Sequence, residues 1–143
     1  MTNTSIAIKE IENLIVANYE RMVAFEHSAF NATSSRLKQY FEEKATESER
    51  NIAELNAVIN EISGFQYDLE KADQINMLGT SHLFIGQKNI NTLLKNIQYL
   101  EKAVINWYKT GMKNLKGLSQ NVTHTLSKHY TGLQASHVYV QSC

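Results

Sequence analysis

The sequence contains no proline and one cysteine, Cys143, which is its last residue. A single cysteine cannot form an intrachain disulfide, and the absence of proline removes the residue that interrupts helices most strongly. No apolar run approaches the roughly 18 residues that a membrane-spanning helix requires. The first residues also lack the basic cluster and the long apolar core of a signal peptide. We therefore expect a soluble, cytoplasmic protein that does not bind membranes.

Acidic residues are missing from the last part of the chain, because all 14 of them lie at or before Glu101 and five lysines follow it. These lysines are spaced like a solvated helix face, and no groove motif of aromatic and arginine residues accompanies them, which argues against nucleic-acid binding. The charge division instead favours attraction between acidic and basic helices, within the domain or between subunits. A length of 143 residues with 43% hydrophobic residues predicts one domain over residues 1–143.

Apolar residues recur at spacings of three and four through most of the chain, which is the period of a helix with one buried face. This pattern predicts four long helices. The first covers residues 5–31, the third residues 88–116 and the fourth residues 119–139. The second begins after an N-cap at Thr33 or Ser34 and ends at Gly64. The connector over residues 64–86 is long enough to cross the bundle, and it contains a shorter predicted helix at about residues 69–85. We therefore predict an all-α, ferritin-like four-helix bundle with one long crossover that contains an additional shorter helix.

A di-iron centre in such a bundle needs a Glu from each of two helices and a Glu-x-x-His pair from each of the other two. No histidine of this chain has an acidic residue three positions before it, and the fourth predicted helix contains no acid at all. The second helix has Ser48 and Asn51 where the Glu-x-x-His pair belongs. The chain alone therefore does not supply a complete di-iron site.

A weaker constellation remains in Glu20, Glu47, Glu101 and His137, which lie at similar depths if the helices are antiparallel. Two carboxylates and one imidazole can hold a single iron, manganese or zinc ion. The alternative is that Glu20 and Glu47 are surface residues and that Glu101 pairs with His137 or a tyrosine. Burying a bare carboxylate is costly, so Glu101, which is set in an apolar helical stripe, needs one of these partners. We favour the alternative.

Other catalytic patterns are weak. No nucleophile elbow of the type Gly-x-Ser-x-Gly occurs, and no glycine-rich phosphate loop is present. Tyrosines at helical spacing, Tyr108 among them, are interpreted as core or interface residues, and His129 as a partly buried histidine with a hydrogen-bond partner.

Short motifs in five segments occur in a characteristic order. The matching positions are Glu20 in the first helix; Phe41, Glu43, Ala45, Glu54 and Leu55 in the second; Gly79 and His82 in the connector; Glu101 and Tyr108 in the third; and His137 in the fourth. With these positions the chain resembles the small bacterial ferritin-like proteins of unassigned function. The resemblance implies a ferritin-like bundle that is stress-associated and self-associating and has no established catalysis. The chain departs from that pattern at Arg21, Phe25, Leu100 and Lys102.

The leading hypothesis is a non-catalytic ferritin-like bundle without a cofactor, which acts through protein association as a homodimer. The second hypothesis is a metal-binding protein with a reduced, mononuclear or degenerate di-iron site at Glu101, His137 and either Glu20 or Glu47. The third, and the least favoured, is an oxidase whose site is completed between subunits.

Overall fold

The computed structural model describes residues 3–73 and 77–143. Within them the chain forms five α-helices and one 3₁₀ turn, and no strand. The helices are α1 (Asn3–Asn31), α2 (Ser35–Ser63), α3 (Leu69–Asp73), α4 (Ile90–Asn114) and α5 (Gln120–Gln141), and the 3₁₀ turn is Ser81–Leu83. The prediction of an all-α fold with four long helices is confirmed.

Short polar residues begin the helices and a glycine ends α2. The side chains of Ser34, Asn89 and Ser119 accept hydrogen bonds from the backbone N–H groups three residues later in α2, α4 and α5, as N-cap residues do. Gly64 follows α2 with φ +81° and donates its N–H to the carbonyl of Asn60. Its left-handed conformation is one that glycine adopts without a steric cost.

The four long helices form a bundle in which α1 contacts α2 and α4, and α5 contacts α4 and α2. Hydrogen bonds between helix ends give their directions. Asn114 at the end of α4 binds Glu10 near the start of α1, and Asn121 at the start of α5 binds Glu61 near the end of α2. Both pairs are therefore antiparallel, and the connector between α2 and α4 crosses the bundle along α1.

The predicted helix at residues 69–85 is wrong in its extent. Helix α3 covers five residues, residues 74–76 lie outside the described part, and the chain from Met77 to Gly79 is bent instead of helical. Gly79 has φ +66°, which no right-handed helix contains. Side chains of the long helices form hydrogen bonds with backbone carbonyls of this segment, in place of the bonds that a continuous helix would make. Asn31 of α1 donates to the carbonyl of Phe84 at 3.2 Å, and Asn96 of α4 donates to the carbonyl of Leu83 at 2.9 Å.

The core is formed by the apolar stripes that the spacing predicts. The inward face of α5 is formed by buried residues at spacings of three and four: Val122, Leu126, His129, Leu133, Ser136 and Val140. None of the described helices is both long enough and apolar enough to cross a membrane.

Candidate functional site

A fully buried arginine, Arg21 of α1, lies at the centre of the bundle. Its Nε donates to Glu101 Oε1 of α4 at 2.9 Å, and its Nη1 donates to Ser48 Oγ of α2 at 2.8 Å. Its Nη2 lies 2.9 Å from Glu47 Oε1, also on α2. We call Arg21, Glu47, Ser48 and Glu101 the arginine cluster. One cation therefore holds two carboxylates from different helices, which fits the planar, forked guanidinium better than it would fit a lysine.

The charges of the arginine cluster depend on one another. Burial alone would lower the pKa of Arg21, but Glu101 and Glu47 outweigh it and raise that pKa, so the guanidinium stays charged. Burial raises the pKa of Glu101, and the neighbouring Arg21 opposes this rise. Burial also opposes ionisation of Glu47, yet Arg21 and Lys44 hold its pKa below the ordinary value. The cluster therefore carries its charge as compensated pairs inside the bundle.

Glu101 does not have the partner that the sequence analysis expected. Its hydrogen bond is to Arg21, and neither His137 nor a tyrosine binds it. The other carboxylate oxygen of Glu101, Oε2, is buried and makes no hydrogen bond to any described residue, and the same is true of His137 Nδ1. A positive charge on His137 would oppose the rise in the pKa of Glu101 that burial causes.

Glu20 lies apart from the arginine cluster, although it is the residue before Arg21. Successive residues of a helix point about 100° apart, and the carboxylate of Glu20 accepts the backbone N–H of Leu78 in the crossover at 3.0 and 3.2 Å. Burial raises the pKa of Glu20, and the N–H groups of Leu78 and Met77 oppose that rise. Glu20 therefore fixes the crossover on α1.

Of the four residues predicted as metal ligands, the structure brings Glu47 and Glu101 together around Arg21, keeps His137 near Glu101, and places Glu20 elsewhere. Across residues 3–73 and 77–143, no group of three or more His, Cys, Asp or Glu side chains is arranged to hold a metal ion. The metal set stays a prediction.

A second polar network crosses the bundle next to the arginine cluster. The hydroxyl of Tyr108, fully buried on α4, lies 2.7 Å from His129 Nδ1 of α5 and accepts a hydrogen bond from Asn18 Nδ2 of α1 at 2.8 Å. His129 Nε2 lies 2.7 Å from Glu54 Oε1 of α2. We call Asn18, Tyr108, His129 and Glu54 the tyrosine relay. His129 has hydrogen-bond partners, as predicted, but it is buried and not partly buried.

The tyrosine relay ends at a cleft between α2 and α5 with a volume of about 220 Å³. Glu54, Lys128 and His129 line this cleft, together with Gly132. Lys128 Nζ binds Glu54 Oε2 at 2.7 Å. The relay is therefore open to solvent at Glu54 and closed at Tyr108.

Sequence reasoning did not find the role of Arg21, which it treated only as a departure from the family pattern. A usable signal was present, because Arg21 lies four residues before Phe25 and three after Asn18, on the buried stripe of α1. A buried cation and a buried carboxylate in one small domain are expected to pair, since either alone is too costly. The guanidinium also lies 5.0 Å from the centre of the Phe25 ring.

No protein-family model and no curated protein sequence matches this chain. A solved structure of a mutant of Dps1 from Mycobacterium smegmatis is similar to it with a TM-score of 0.83 and 10% sequence identity. The match covers 99% of this chain and 98% of the Dps1 chain. A likeness at this identity concerns the fold, and it shows that the chain has a ferritin-like helical fold.

Proposed function

We propose that this protein is a non-catalytic ferritin-like bundle with a stress-related role, which acts through self-association as a homodimer. The observation that carries the non-catalytic part is Arg21, whose guanidinium lies 2.9 Å from both Glu47 and Glu101. A metal ion held by the same carboxylates would have to displace a buried cation, or to lie beside it and be repelled by it. Arg21, together with Lys44 on the other oxygen of Glu47, thus balances the two carboxylates without a cofactor.

The surface that we propose for self-association is the groove between α4 and α5. Tyr99 and Val138 lie in it with 62% and 63% of their surface exposed. Lys102 and Lys109 also line it, and none of its described lining residues is acidic. Exposed apolar residues that lie together are typical of association surfaces.

Charge complementarity supports a second copy of the chain as the occupant of this groove. Helix α4 carries four lysines and one acidic residue, whereas α2 carries six acidic residues and four basic ones. Because α5 lies between α2 and α4, a two-fold axis near α5 would place α2 of each copy over the groove of the other. Such an isologous contact closes as a dimer.

Light scattering tests the association. The wild-type protein is expected to have the mass of a dimer at micromolar concentration, and the dimer is expected to weaken as salt is raised. Val138→Arg should yield monomer, because it adds a cation to a basic groove. Ile85→Arg is the matched control, since Ile85 is 66% exposed and lies in the crossover, and it should remain dimeric. A monomeric wild type would overturn self-association, and dissociation by Ile85→Arg alone would overturn the choice of groove.

Elemental analysis tests the absence of a metal. Protein purified without chelator should contain far less than one equivalent of iron, manganese or zinc, both in the wild type and in Glu101→Gln. The glutamine keeps the size of the side chain and its contact with Arg21 while removing the charge. A full equivalent of metal that disappears in Glu101→Gln would overturn the non-catalytic assignment.

A second candidate function, metal binding at a reduced site, is favoured by Glu101 Oε2 and His137 Nδ1. Both atoms are buried and neither has a hydrogen-bond partner among the described residues. A carboxylate oxygen and an imidazole nitrogen are ligands that zinc, iron and manganese accept. The same elemental analysis decides between the two candidates, and loss of metal in His137→Gln would place the ion.

A further inference from the structure

Solvent does not reach Tyr108, which is buried together with Asn18 at the inner end of the tyrosine relay. The Tyr108 hydroxyl has partners on two other helices. Its side chain is fully buried, and it does not line the cleft at the other end of the relay. A molecular substrate therefore has no access to the phenol. An electron and a proton do, because the first can tunnel and the second can move along hydrogen bonds.

The amide of Asn18 is fixed in one orientation by its neighbours. Its Nδ2 donates to the carbonyl of Leu14 at 2.9 Å and to Tyr108 Oη at 2.8 Å. Its Oδ1 accepts from Asn51 Nδ2 at 3.2 Å. The reverse orientation would set the amide oxygen of Asn18 against the Leu14 carbonyl, which cannot donate. Because Asn18 donates to Tyr108 Oη, the phenolic hydrogen is free to point elsewhere.

With a neutral His129, the phenolic hydrogen of Tyr108 points at His129 Nδ1, 2.7 Å away, because the Glu54 carboxylate only accepts and therefore takes the ring proton on Nε2. His129 Nδ1 is then an acceptor, and Nε2 donates the ring proton to Glu54 Oε1. Burial lowers the pKa of His129 even though Glu54 opposes the shift, which agrees with a neutral ring. Every hydrogen of the relay thus has one consistent position.

We propose that Tyr108 is a redox-active tyrosine, with His129 as the base that takes its proton and Glu54 as the group that stabilises the resulting imidazolium. In the step, an outer-sphere one-electron oxidant gains one electron and Tyr108 loses it. The O–H bond of Tyr108 breaks, and the proton forms a new N–H bond at His129 Nδ1. The products are a neutral tyrosyl radical, an imidazolium at His129 and the reduced oxidant. Reversal of these movements restores the phenol.

The charge that the step creates lies next to its counter-charge. An imidazolium at His129 would have the Glu54 carboxylate 2.7 Å from its Nε2. Lys128 binds the other oxygen of Glu54 and weakens this attraction. Glu54 is about one third exposed, so solvent also stabilises the pair. The arrangement is that of an imidazole oriented by a carboxylate, which in serine proteases stabilises a transient imidazolium.

Tyr40 is the natural comparison within the same chain. It is partly buried, and its hydroxyl bonds to Ser136, whose hydroxyl and carbonyl oxygens lie 2.9 and 3.3 Å away. A hydroxyl and a carbonyl are too weakly basic to keep the phenolic proton. Tyr40 therefore has a hydrogen-bonded phenol without a base, and Tyr108 has one with a base.

The experiment is photochemical oxidation of the full-length protein with tris(bipyridine)ruthenium(III), followed by transient absorption and electron paramagnetic resonance. The wild type should form a long-lived neutral tyrosyl radical. Tyr108→Phe should abolish the long-lived signal, and Tyr40→Phe should leave it unchanged. No long-lived radical in the wild type, or an undiminished one in Tyr108→Phe, would overturn the proposal.

Two readouts separate a proton acceptor from a merely structural histidine. His129→Gln should slow radical formation by about a hundredfold, the usual contribution of a positioned base, and Glu54→Gln should slow it less. Deuterated solvent should slow the wild type and have little effect on His129→Gln. Circular dichroism establishes that each variant is folded. Equal rates in wild type and His129→Gln, or no solvent isotope effect, would overturn the role of His129.

Discussion

The arginine cluster and the tyrosine relay are adjacent polar networks of the same bundle. The cluster places charged groups in the interior, and the relay places neutral groups there. The same helix faces supply both, since Asn18 and Arg21 are three residues apart on α1, and Glu101 and Tyr108 are seven apart on α4. The cluster buries full charges and compensates them internally. The relay uses a neutral phenol and imidazole in the interior and keeps its carboxylate, Glu54, at the surface.

The networks differ in how their central groups are exposed: the side chains of Arg21 and Glu101 have no exposed surface, and only Glu47 of the cluster reaches the cleft. The buried pair of Arg21 and Glu101 is therefore suited to holding helices in register, and loss of either partner leaves an uncompensated charge. A neutral hydrogen-bond chain that reaches solvent can move a proton at little cost. We therefore expect the cluster to dominate stability and the relay to dominate pH dependence and reactivity.

The largest effect should come from Arg21→Met, which removes the cation of the cluster and keeps the length of the side chain. Glu101 would be left buried without its partner, and we expect a loss of about 3–5 kcal/mol in the free energy of unfolding, measured by urea denaturation. The control Arg36→Met removes an exposed arginine that binds only Tyr139 among the bonds described, and it should change stability by less than about 0.5 kcal/mol.

A double variant sharpens this prediction. Arg21→Met combined with Glu101→Leu leaves no buried charge at the centre, while Glu47 can turn to solvent because a fifth of its side chain is already exposed. The double variant should recover much of the lost stability. If it is no more stable than Arg21→Met alone, loss of packing and not unpaired charge explains the single variant.

A smaller effect is expected from breaking the relay. Tyr108→Phe keeps the aromatic ring but leaves His129 Nδ1 and one N–H of Asn18 without their partner. Buried polar groups without a hydrogen bond lower the free energy of unfolding by about 1–3 kcal/mol, which urea denaturation would again measure. Tyr99→Phe is the matched control, because its ring is mostly exposed, and it should have almost no effect. Equal effects in both variants would contradict the importance of the buried hydroxyl.

The pH dependence should distinguish His129 of the relay from Glu101 of the cluster by sign. Because burial lowers the pKa of His129 below the ordinary 6.5, the unfolded chain binds this proton more readily than the folded protein. The stability due to neutral His129 is therefore complete above about pH 6.5 and is lost as the pH falls toward the lower folded pKa. Glu54, whose pKa is lowered mainly by Lys128 and His129 against the effect of burial, adds a loss at more acidic pH.

Glu101 acts in the opposite direction, because its raised pKa makes the folded protein take up this proton more readily than the unfolded chain. The measurement is thermal unfolding between about pH 7 and pH 5, where histidine titrates. His129→Gln should flatten the wild-type slope. The control His124→Gln, at an exposed position of the same helix, should leave it as it is. An unchanged slope in His129→Gln would show that another group carries the pH dependence.

The smallest effect concerns glycines beside the two networks. A Cβ at Gly132, next to the relay's cleft, would lie 3.6 Å from Glu47 Oε2, whereas one at Gly111 would lie 3.2 Å from Leu14 Cδ1. Gly132→Ala should therefore raise the free energy of unfolding by about 0.5–1 kcal/mol, the usual gain in a helix interior. Gly111→Ala should gain less, because Leu14 must move. A larger gain at Gly111 would contradict the tight α1–α4 contact.

The four long helices could be predicted from the sequence because their apolar period is sustained and their ends carry cap residues. The extent of the connector helix could not. Its residues favour a helix locally, but Gly79 and hydrogen bonds to Glu20, Asn31 and Asn96 hold the segment after α3 in another shape. A local pattern does not contain the partners that a distant helix will offer.

The candidate site was predictable in its residue types and not in its pairing. The spacing placed Glu101 and His129 on buried faces, and it excluded a complete Glu-x-x-His site within one chain. It did not show that Arg21 is the partner of Glu101, because the two are 80 residues apart and their meeting depends on how α1 and α4 are aligned.

The sequence by itself determined an all-helical bundle, its crossover and the polarity of each helix face, because those properties follow from spacing within single helices. Only the tertiary structure decided which polar groups meet. It put a guanidinium between Glu47 and Glu101, and it aligned Tyr108, His129 and Glu54 into one hydrogen-bonded chain. The physical reason is that hydrogen bonds and ion pairs depend on separations of about 3 Å between helices, which no pattern along one helix specifies.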